Sequence, residues 1–396
     1  MKPIPITNYT LTTALGTGVA VHWEKLQNGD SGLSPCAFFD NRSLSTWVGE
    51  VQGIDDIPLE GKWSAFDCRN HRLAHLALQQ DGFIPAVERV IACYGAERVG
   101  LFLGTSTSGI HQVEKAYMSI DPSTDPLPEW YHYETTHNPY ALVAFVSEYL
   151  GVKGLSYTIS TACSSSAKVF ASAYRAIACG LCDAAIVGGV DSLCLTTLYG
   201  FHSLQLMDQS VCRPFDTERG GISIGEAGGF ALLERTTDSA TPFALLGYGE
   251  SSDAYHMSSP HPEGDAAFLA MRLALEKASI TPEQIDYIHL HGTGTIANDL
   301  AESRAVTRLF ESKTPGSSTK GWTGHTLGAA GIVGVVLSLL CMEHRFLPST
   351  LHTKQIDPAV KANILQGSRH GHLKNVLTNS FGFGGSNCSL VLGERK

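Results

Sequence analysis

Cys163 is the residue whose surroundings in this sequence most favour nucleophilic chemistry. It lies in the segment SYTISTACSSSAKVF, where a predicted strand ends near Ser160 and a predicted helix follows. A thiol at a helix entrance faces unpaired backbone N–H groups and the positive end of the helix dipole, and both favour the reactive thiolate. The small neighbours Ala162, Ser164 and Ser165 leave room for a thioester. The alternative interpretation is a buried structural cysteine, the ordinary role of a free thiol.

Two histidines and a lysine lie in glycine-rich segments next to predicted strands and helices. The segment HLHGTGTIANDLAES places His291 at a strand end, and TKGWTGHTLGAAGIVG places Lys320 and His325 before a helix. His289 lies within the same strand as His291 and is predicted to be structural. Two histidines in separate loops, with a cysteine at a helix entrance, form a candidate catalytic set. The competing interpretation is a metal site, which is disfavoured because no third ligand has matching spacing.

A third glycine-rich segment, NSFGFGGSN, runs from Asn379 to Asn387 near the end of the sequence. Three glycines within five residues let the backbone approach a ligand closely. Phe381 and Phe383 are candidates to cap an apolar pocket there. The alternative is an ordinary hairpin turn.

The elements that must position these residues alternate between strands and helices, which predicts an α/β fold. Predicted strands span 98–104, 155–160, 184–189, 229–233, 244–248 and 285–290, and two more flank the last glycine-rich turn. Predicted helices span 164–180, 266–278, 299–310 and 331–343. We predict two α/β halves, with the cysteine in 1–238 and the histidines, the lysine and the last glycine-rich turn in 239–396.

The composition excludes several classes of protein. A net charge of −10 over 396 residues argues against nucleic-acid binding, although a local basic patch can still recruit an acidic partner. The N-terminus lacks a signal-peptide pattern, and the longest apolar stretch, 331–342, is shorter than the ~20 residues of a membrane span. We therefore predict a cytoplasmic protein without a membrane segment.

Ten cysteines without disulfide spacing are predicted to be reduced. Four of them are predicted to pack in the core: Cys179, Cys182, Cys341 and Cys388.

Six segments, in this order along the chain, resemble those of the elongating β-ketoacyl-acyl-carrier-protein synthases of the thiolase superfamily. They are TACSSS at 161–166, CRPFDTERGG at 212–221, SSDAYHMSSP at 251–260, HGTGT at 291–295, TKGWTGHTLGAAG at 319–331 and NSFGFGGSN at 379–387. The resemblance implies a thiolase-like fold, with two similar α/β halves in a five-layered α-β-α-β-α arrangement. It implies a dimer, either a homodimer or a heterodimer with a chain-length-factor-like homologue. The implied partner is acyl carrier protein. The resemblance implies no metal or organic cofactor beyond the phosphopantetheine that the carrier protein bears.

The resemblance also implies a decarboxylative condensation. Cys163 would attack an acyl thioester and form an acyl-enzyme, with the backbone N–H groups of Cys163 and Phe383 as the oxyanion hole. A malonyl thioester would then lose CO2 and become an enolate, which attacks the acyl-enzyme. His291 and His325 would donate hydrogen bonds to that enolate as neutral imidazoles. Lys320 matches the lysine that organises the histidines.

Binding roles follow from the same resemblance. Thr293 and Thr295 match threonines that contact the pantetheine arm, Phe383 matches a gating phenylalanine, and Phe381 accompanies it. Thr107, in GTSTSG, and Tyr133, in LPEWYHYETTHNPY, fall where the family lines its acyl pocket. Because polar aromatic residues stand where fatty-acid enzymes tend to be apolar, an aromatic or unsaturated acyl chain is expected, as in an aryl-polyene or other secondary-metabolite ketosynthase. The alternative is ordinary interface packing.

A predicted helix at DCRNHRLAHLALQQ carries Arg69 and Arg72, which are predicted to attract an acidic carrier protein. The alternative is a solvated helix face. One departure from the family concerns Lys320. Gly334 stands where members commonly carry a glutamate, so the lysine lacks its expected partner unless Glu302 supplies one.

Two rival functions share the fold. A non-catalytic subunit of the chain-length-factor type would lose the nucleophile, and the presence of Cys163 with both histidines argues against it. A non-decarboxylating thiolase uses a Cys-His-Cys set. His325 and the GFGGSN ending favour the decarboxylating branch.

Overall fold

The computed structural model describes residues 1–38, 44–235 and 242–395. The predicted boundary between 238 and 239 lies outside these ranges and stays a prediction. Five strands of the first half form a sheet: β1 (Ile4–Thr13), β2 (Val99–Gly104), β3 (Ser156–Ile159), β4 (Ala184–Asp191) and β5 (Ala227–Glu234). Their spatial order is β3-β2-β4-β5-β1. β2 is parallel to β3 and β4, and β5 is antiparallel to both of its neighbours.

The second half repeats this topology. Its strands are β6 (Phe243–Ser252), β7 (Tyr287–His289), β8 (Pro315–Ser317), β9 (Asn375–Gly382) and β10 (Ser386–Glu394). Their order is β8-β7-β9-β10-β6, with the same pattern of parallel and antiparallel pairs. The two sheets meet where Ile4 of β1 pairs with Leu245 of β6. The repeated strand order confirms the prediction of two similar halves, which sequence identity between the halves did not reveal.

Helices cover the sheets on both faces. The helices of the first half are α1 (Val19–Asn28), α2 (Arg69–Leu78), α3 (Phe83–Tyr94), α4 (Ile110–Met118), α5 (Ala141–Leu150), α6 (Ser165–Ala178) and α7 (Leu195–Ser203). Those of the second half are α8 (Asp265–Ala278), α9 (Ile296–Phe310), α10 (Lys320–Thr323) and α11 (Ala330–His344). Because α6 and α11 lie between the two sheets and other helices cover the outer faces, the layers run α-β-α-β-α as predicted.

The two central helices approach each other closely. A Cβ atom added to Gly331 of α11 would lie 2.2 Å from the backbone nitrogen of Ala167 in α6, so only glycine fits there. The helical stretch Leu327–His344 is long and apolar enough to cross a membrane, but 83% of it is buried inside the protein. Burial of this kind is what a core helix requires, because its surface is apolar all round.

The predicted elements differ from the observed ones mainly at their ends. The helix predicted at 299–310 begins at Ile296, because Thr295 caps it by accepting a hydrogen bond from the backbone N–H of Asn298 at 3.4 Å. The prediction that Cys179 packs in the core is wrong. Cys179 is exposed just after α6, whereas Cys182, Cys341 and Cys388 are buried.

Candidate active site

Cys163 lies on the tight turn that joins β3 to the central helix α6. Ala162 adopts a left-handed backbone conformation, with φ of 50°, so the chain reverses sharply just before the cysteine. The hydroxyl of Ser165 accepts a hydrogen bond from the N–H of Thr161 at 2.9 Å and donates one to the carbonyl of Ala162 at 2.6 Å. These bonds fix the turn, and the sulfur lines a cavity between the two halves.

His325 lies at the corresponding position of the second half, just before the central helix α11. Its backbone is tied to a neighbouring segment, because its N–H donates to the carbonyl of Ser223 at 2.7 Å and its carbonyl accepts from Gly225 at 3.0 Å. Its Nε2 lies 3.0 Å from the sulfur of Cys163. The repeated fold therefore brings two equivalent turns face to face, one with a thiol and one with an imidazole.

His291 follows β7 and completes the cluster. The ring centroids of His291 and His325 are 5.3 Å apart and nearly perpendicular. One ligand atom from each histidine and the sulfur of Cys163 all lie within 4.8 Å of one another. The ammonium of Lys320 donates to the carbonyl oxygen of His291 and lies 3.4 Å from its Nδ1. The structure thus brings together all four predicted catalytic residues.

Glu302, on α9, holds the loop that carries His291. Its buried carboxylate accepts hydrogen bonds from the N–H groups of His291 at 2.8 Å and Gly292 at 2.7 Å, and from the side-chain amide of Asn379 at 3.1 Å. The sequence suggested Glu302 only as a partner for Lys320. That Glu302 also positions the loop of His291 could be recognised only from the three-dimensional structure.

Burial keeps both imidazoles neutral. Desolvation is the largest cause that lowers the pKa of His291 and of His325 well below the usual range, and the charge of Lys320 lowers both further. Burial also lowers the pKa of Lys320, while the negative charge of Glu302 opposes that effect. Neutral imidazoles next to a lysine are suited to donate hydrogen bonds to a developing negative charge.

The sulfur is not held as a thiolate in the free protein, contrary to the expectation from its helix entrance. Burial raises the pKa of the Cys163 thiol to about 11, although the N–H of Phe383 and the charge of Lys320 lower it in part. Desolvation of an anion therefore outweighs the favourable backbone contacts. Because Nε2 of His325 is 3.0 Å away, that imidazole is placed to take the proton when the sulfur attacks.

The position of the missing family glutamate is filled by other residues. A Cβ atom on Gly334 would lie 2.7 Å from the hydroxyl of Thr378 and 3.0 Å from Nδ1 of His289, which leaves no room for a larger side chain. Nε2 of His289 lies 2.9 Å from the hydroxyl of Thr319, the residue before Lys320. Burial lowers the pKa of His289 to about 3, so this imidazole is neutral. A neutral histidine thus replaces a carboxylate beside the lysine.

The cavity in front of the sulfur is lined by the predicted pantetheine and gate residues: Thr293, Thr295, Phe381 and Phe383. The hydroxyls of the two threonines are 2.9 Å apart. The half-buried ring of Phe383 packs against Phe201, with centroids 5.3 Å apart. Sequence reasoning missed Phe201, since nothing in the segment LYGFHS marks its ring as part of the cavity wall.

Thr107 does not line this cavity, and its role beside the acyl pocket stays a prediction. Thr107 is buried, and both its N–H and its hydroxyl donate to the carboxylate of Asp191 at 3.0 Å. The other oxygen of Asp191 accepts from the N–H of Gly328 at 2.6 Å, three residues after His325. Asp191, which the sequence did not single out, therefore ties the loop after β2 to the loop of His325. Tyr133 does not line the cavity within this chain either, because its side chain is exposed on the surface.

The prediction that Arg69 recruits a carrier protein is wrong. α2 forms as predicted, but Arg69 lies on its buried side, where its guanidinium donates to Glu226 at 2.6 Å and to Asp55 at 2.6 Å. Arg72 is mostly buried, and its guanidinium pairs with the carboxylate of Asp67 at 2.5 Å. Both cations are therefore engaged within the chain.

Comparison with known proteins agrees with this site. Residues 1–239 match the N-terminal domain family of β-ketoacyl synthases, and 243–354 match the C-terminal domain family. The chain is 31% identical to a 3-oxoacyl-[acyl-carrier-protein] synthase 2 of Coxiella burnetii, with 99% of this chain and 98% of that protein covered. It is 29% identical to Nodulation protein E of Rhizobium leguminosarum bv. trifolii, with 98% of each covered.

Solved structures similar to this chain are also ketosynthases. A ketosynthase from Xenorhabdus doucetiae, determined in complex with its chain length factor, superposes with a TM-score of 0.91 at 39% identity, covering 100% of this chain and 98% of that one. The ishigamide ketosynthase/chain length factor superposes with a TM-score of 0.90 at 26% identity, covering both chains fully. The chain belongs to the β-ketoacyl synthase family. It is an enzyme of the acyltransferase class with a thiolase-like fold, as the sequence predicted.

Proposed function

We propose that this chain extends an acyl group bound to Cys163 by decarboxylative condensation with malonyl-acyl-carrier protein, giving a β-ketoacyl-acyl-carrier protein. The observation that carries the proposal is the cluster of one thiol and two neutral imidazoles at the end of a cavity, with Lys320 behind it. A chain-length-factor-type subunit would not need this set. The family match over both halves also disfavours a thiolase with a Cys-His-Cys set.

In the first step the sulfur of Cys163 attacks the thioester carbonyl, and the carrier leaves as a thiol. His325 takes the proton from the attacking sulfur and returns it to the departing one, because its Nε2 faces the sulfur at 3.0 Å. The N–H groups of Cys163 and Phe383 face the sulfur and are placed to stabilise the oxyanion.

In the second step malonyl thioester loses CO2, and the electron pair of the broken C–C bond forms an enolate. His291 donates a hydrogen bond to the enolate oxygen from Nε2, because its Nδ1 faces the Lys320 ammonium at 3.4 Å and both imidazoles are neutral. His325 donates the second hydrogen bond from Nε2, after its proton has moved there from Nδ1. The enolate carbon then attacks the acyl-enzyme, and the C–S bond to Cys163 breaks. The negative charge of the malonyl carboxylate thus ends on the sulfur, which takes a proton from solvent to restore the thiol, so the step needs no metal or redox partner.

We further propose that the enzyme serves a specialised polyene or secondary-metabolite pathway in the cytoplasm, as a heterodimer with a chain-length-factor-like homologue. The 39% identity to a ketosynthase solved with its chain length factor supports this pairing. An exposed apolar surface on α4 and α7 supports a partner subunit there, because such side chains are normally covered. It is formed by Tyr117, Met118 and Tyr199. The exposed Tyr133 would then face the pocket of the assembled dimer.

Mass spectrometry of acylated Cys163 tests both parts of the proposal. The chain, purified with and without its co-expressed homologue, is offered aromatic, polyunsaturated and saturated acyl carriers. We expect loading of Cys163 with the aromatic or unsaturated chains, and CO2 release from malonyl carrier that is lost in His291→Ala and His325→Ala. Cys163→Ala, which keeps the other cysteines, controls for loading elsewhere. Equal loading of saturated C8 to C14 chains would refute the specialised pathway, and absent CO2 release would refute the condensation.

A further inference from the structure

Four large apolar side chains that are open to solvent lie on the segments that form the wall of the catalytic cavity. Leu204 is 50% exposed, Tyr255 56%, Met257 78% and Ile296 62%. Each lies on a segment whose neighbouring residues line the cavity, such as Leu206, His256, Ser258 and Thr295. Exposed apolar residues scattered singly are ordinary, but a group around one opening marks a binding surface. We call these four residues the apolar rim.

The rim is displayed on a fixed backbone. The carbonyl of Met257 accepts a hydrogen bond from the N–H of Gly384 at 2.7 Å, and the N–H of Asp253 donates to the carbonyl of Gly385 at 2.9 Å. The ring of Tyr255 packs edge-on against His261, with centroids 5.1 Å apart. Ile296 begins α9, directly after its Thr295 cap. A preformed apolar surface loses little conformational freedom when a partner binds.

Two arginines on the segments beside the rim are paired with acidic side chains. Arg213 pairs with Glu218 at 3.2 Å, and Arg308 on α9 pairs with Asp265 at 2.6 Å. Arg69 is buried, and the whole chain carries a net charge of −10. These arginines are therefore already engaged by acidic side chains, which leaves apolar contact to supply much of the affinity for an acidic partner.

We propose that the carrier protein docks on the apolar rim and that burial of Leu204, Tyr255, Met257 and Ile296 provides most of its affinity for this enzyme. The inference rests on the proposed function, because a substrate tethered to a protein reaches Cys163 only if that protein stands over the cavity mouth. The partner is a carrier protein with an apolar patch beside its phosphopantetheine attachment site. Docking through Arg69 and Arg72, which the sequence favoured, is replaced by this surface.

The test compares a tethered substrate with a free one, using the purified enzyme complex. Met257→Asp and Ile296→Asp are assayed with acyl carrier protein and with the matching N-acetylcysteamine thioester, which needs no docking. Because each change places an unpaired charge in an apolar contact, we expect kcat/KM for the carrier substrate to fall about tenfold or more relative to the small thioester. Leu181→Asp is the matched control, since Leu181 is 57% exposed beyond the far end of α6, and its ratio should stay unchanged.

Salt dependence gives a second readout. We expect the wild-type KM for the carrier substrate to change little as the salt concentration rises, because apolar contacts are not screened. An unchanged ratio in both rim variants, or a steep rise of KM with salt, would overturn the inference. Rim variants that alter the oligomeric state would overturn it too, by making the rim a subunit interface. Wild-type protein that condenses neither substrate would instead refute the proposed function, and this inference with it.

Discussion

Replacing Glu302 with glutamine tests whether the loop of His291 is held by a buried charge. The two carboxylate oxygens accept three hydrogen bonds, from the N–H groups of His291 and Gly292 and from the side-chain amide of Asn379. Glutamine has the same shape but offers one oxygen. In either orientation its NH2 group faces at least one donor, so at least one bond is lost and the others weaken.

The expected magnitude follows from that count. A hydrogen bond to a charged acceptor contributes about 1.5–3 kcal/mol, and a buried donor left without a partner costs a similar amount, so the free energy of unfolding should fall by about 2–4 kcal/mol. The loss of negative charge also removes the main favourable charge for the Lys320 ammonium and lowers its pKa further. Displacement of a catalytic group by about 1 Å can cost a hundredfold in rate, so we expect malonyl decarboxylation to slow about tenfold to a hundredfold.

The assay combines chemical denaturation, malonyl decarboxylation and alkylation of Cys163. Alkylation should change little, because the turn of Cys163 is held by hydrogen bonds of Ser165, whereas Glu302 holds the loop of His291. Glu311→Gln is the matched control, since Glu311 follows the same helix and is 72% exposed. If Glu302→Gln keeps both the wild-type unfolding free energy and the wild-type decarboxylation rate, the carboxylate does not hold the loop.

Two further predictions concern groups that the structure buries. Arg69→Ala leaves the carboxylate of Glu226 buried without its cation, so we expect a loss of about 3–5 kcal/mol in unfolding free energy, measured by denaturation. Activity with carrier and small thioester substrates should fall together, and a selective rise of KM for the carrier would contradict this. Because the pKa of Cys163 is raised to about 11, its thiolate fraction grows about tenfold per pH unit below that value. Iodoacetamide alkylation, followed by intact mass between pH 7 and 9, should rise accordingly, and a plateau below pH 8 would show an ionised resting thiol.

The sequence predicted what depends on local signals. The turn at Cys163 is marked by small residues and serines between a strand and a helix, and the structure has Ser165 bonded across that turn. The loops of His291 and His325 are marked by glycines. Such signals act within a few residues, so the position of each group at an element end could be predicted without knowing the fold.

What the sequence could not give depends on distant partners. The helix of Arg69 was predicted, but its buried face is set by Glu226, 157 residues away. Thr107 points into the protein because the carboxylate of Asp191 accepts hydrogen bonds from its backbone N–H and its hydroxyl. The ionisation of Cys163 depends on burial between two halves, and that burial outweighs the local effect of the helix entrance. In each case a tertiary contact overrode a local expectation.

The duplicated topology explains why one half supplies the nucleophile and the other half supplies the imidazole that faces it. In each half the turn before the central helix points into the space between the sheets, and Gly331 lets the two central helices approach closely enough for those turns to face each other. One turn carries the nucleophile, and the other carries an imidazole with a buried Nδ1 that has no hydrogen-bond partner among the described residues.

The thiol and both imidazoles are neutral, so Lys320 is the cation beside the place where negative charge develops. A glutamate at position 334 would set a second carboxylate near that cation. With glycine there and a neutral His289 in the space, more of the lysine's charge remains for the enolate, which fits an enzyme whose hardest step creates an anion in a buried cavity.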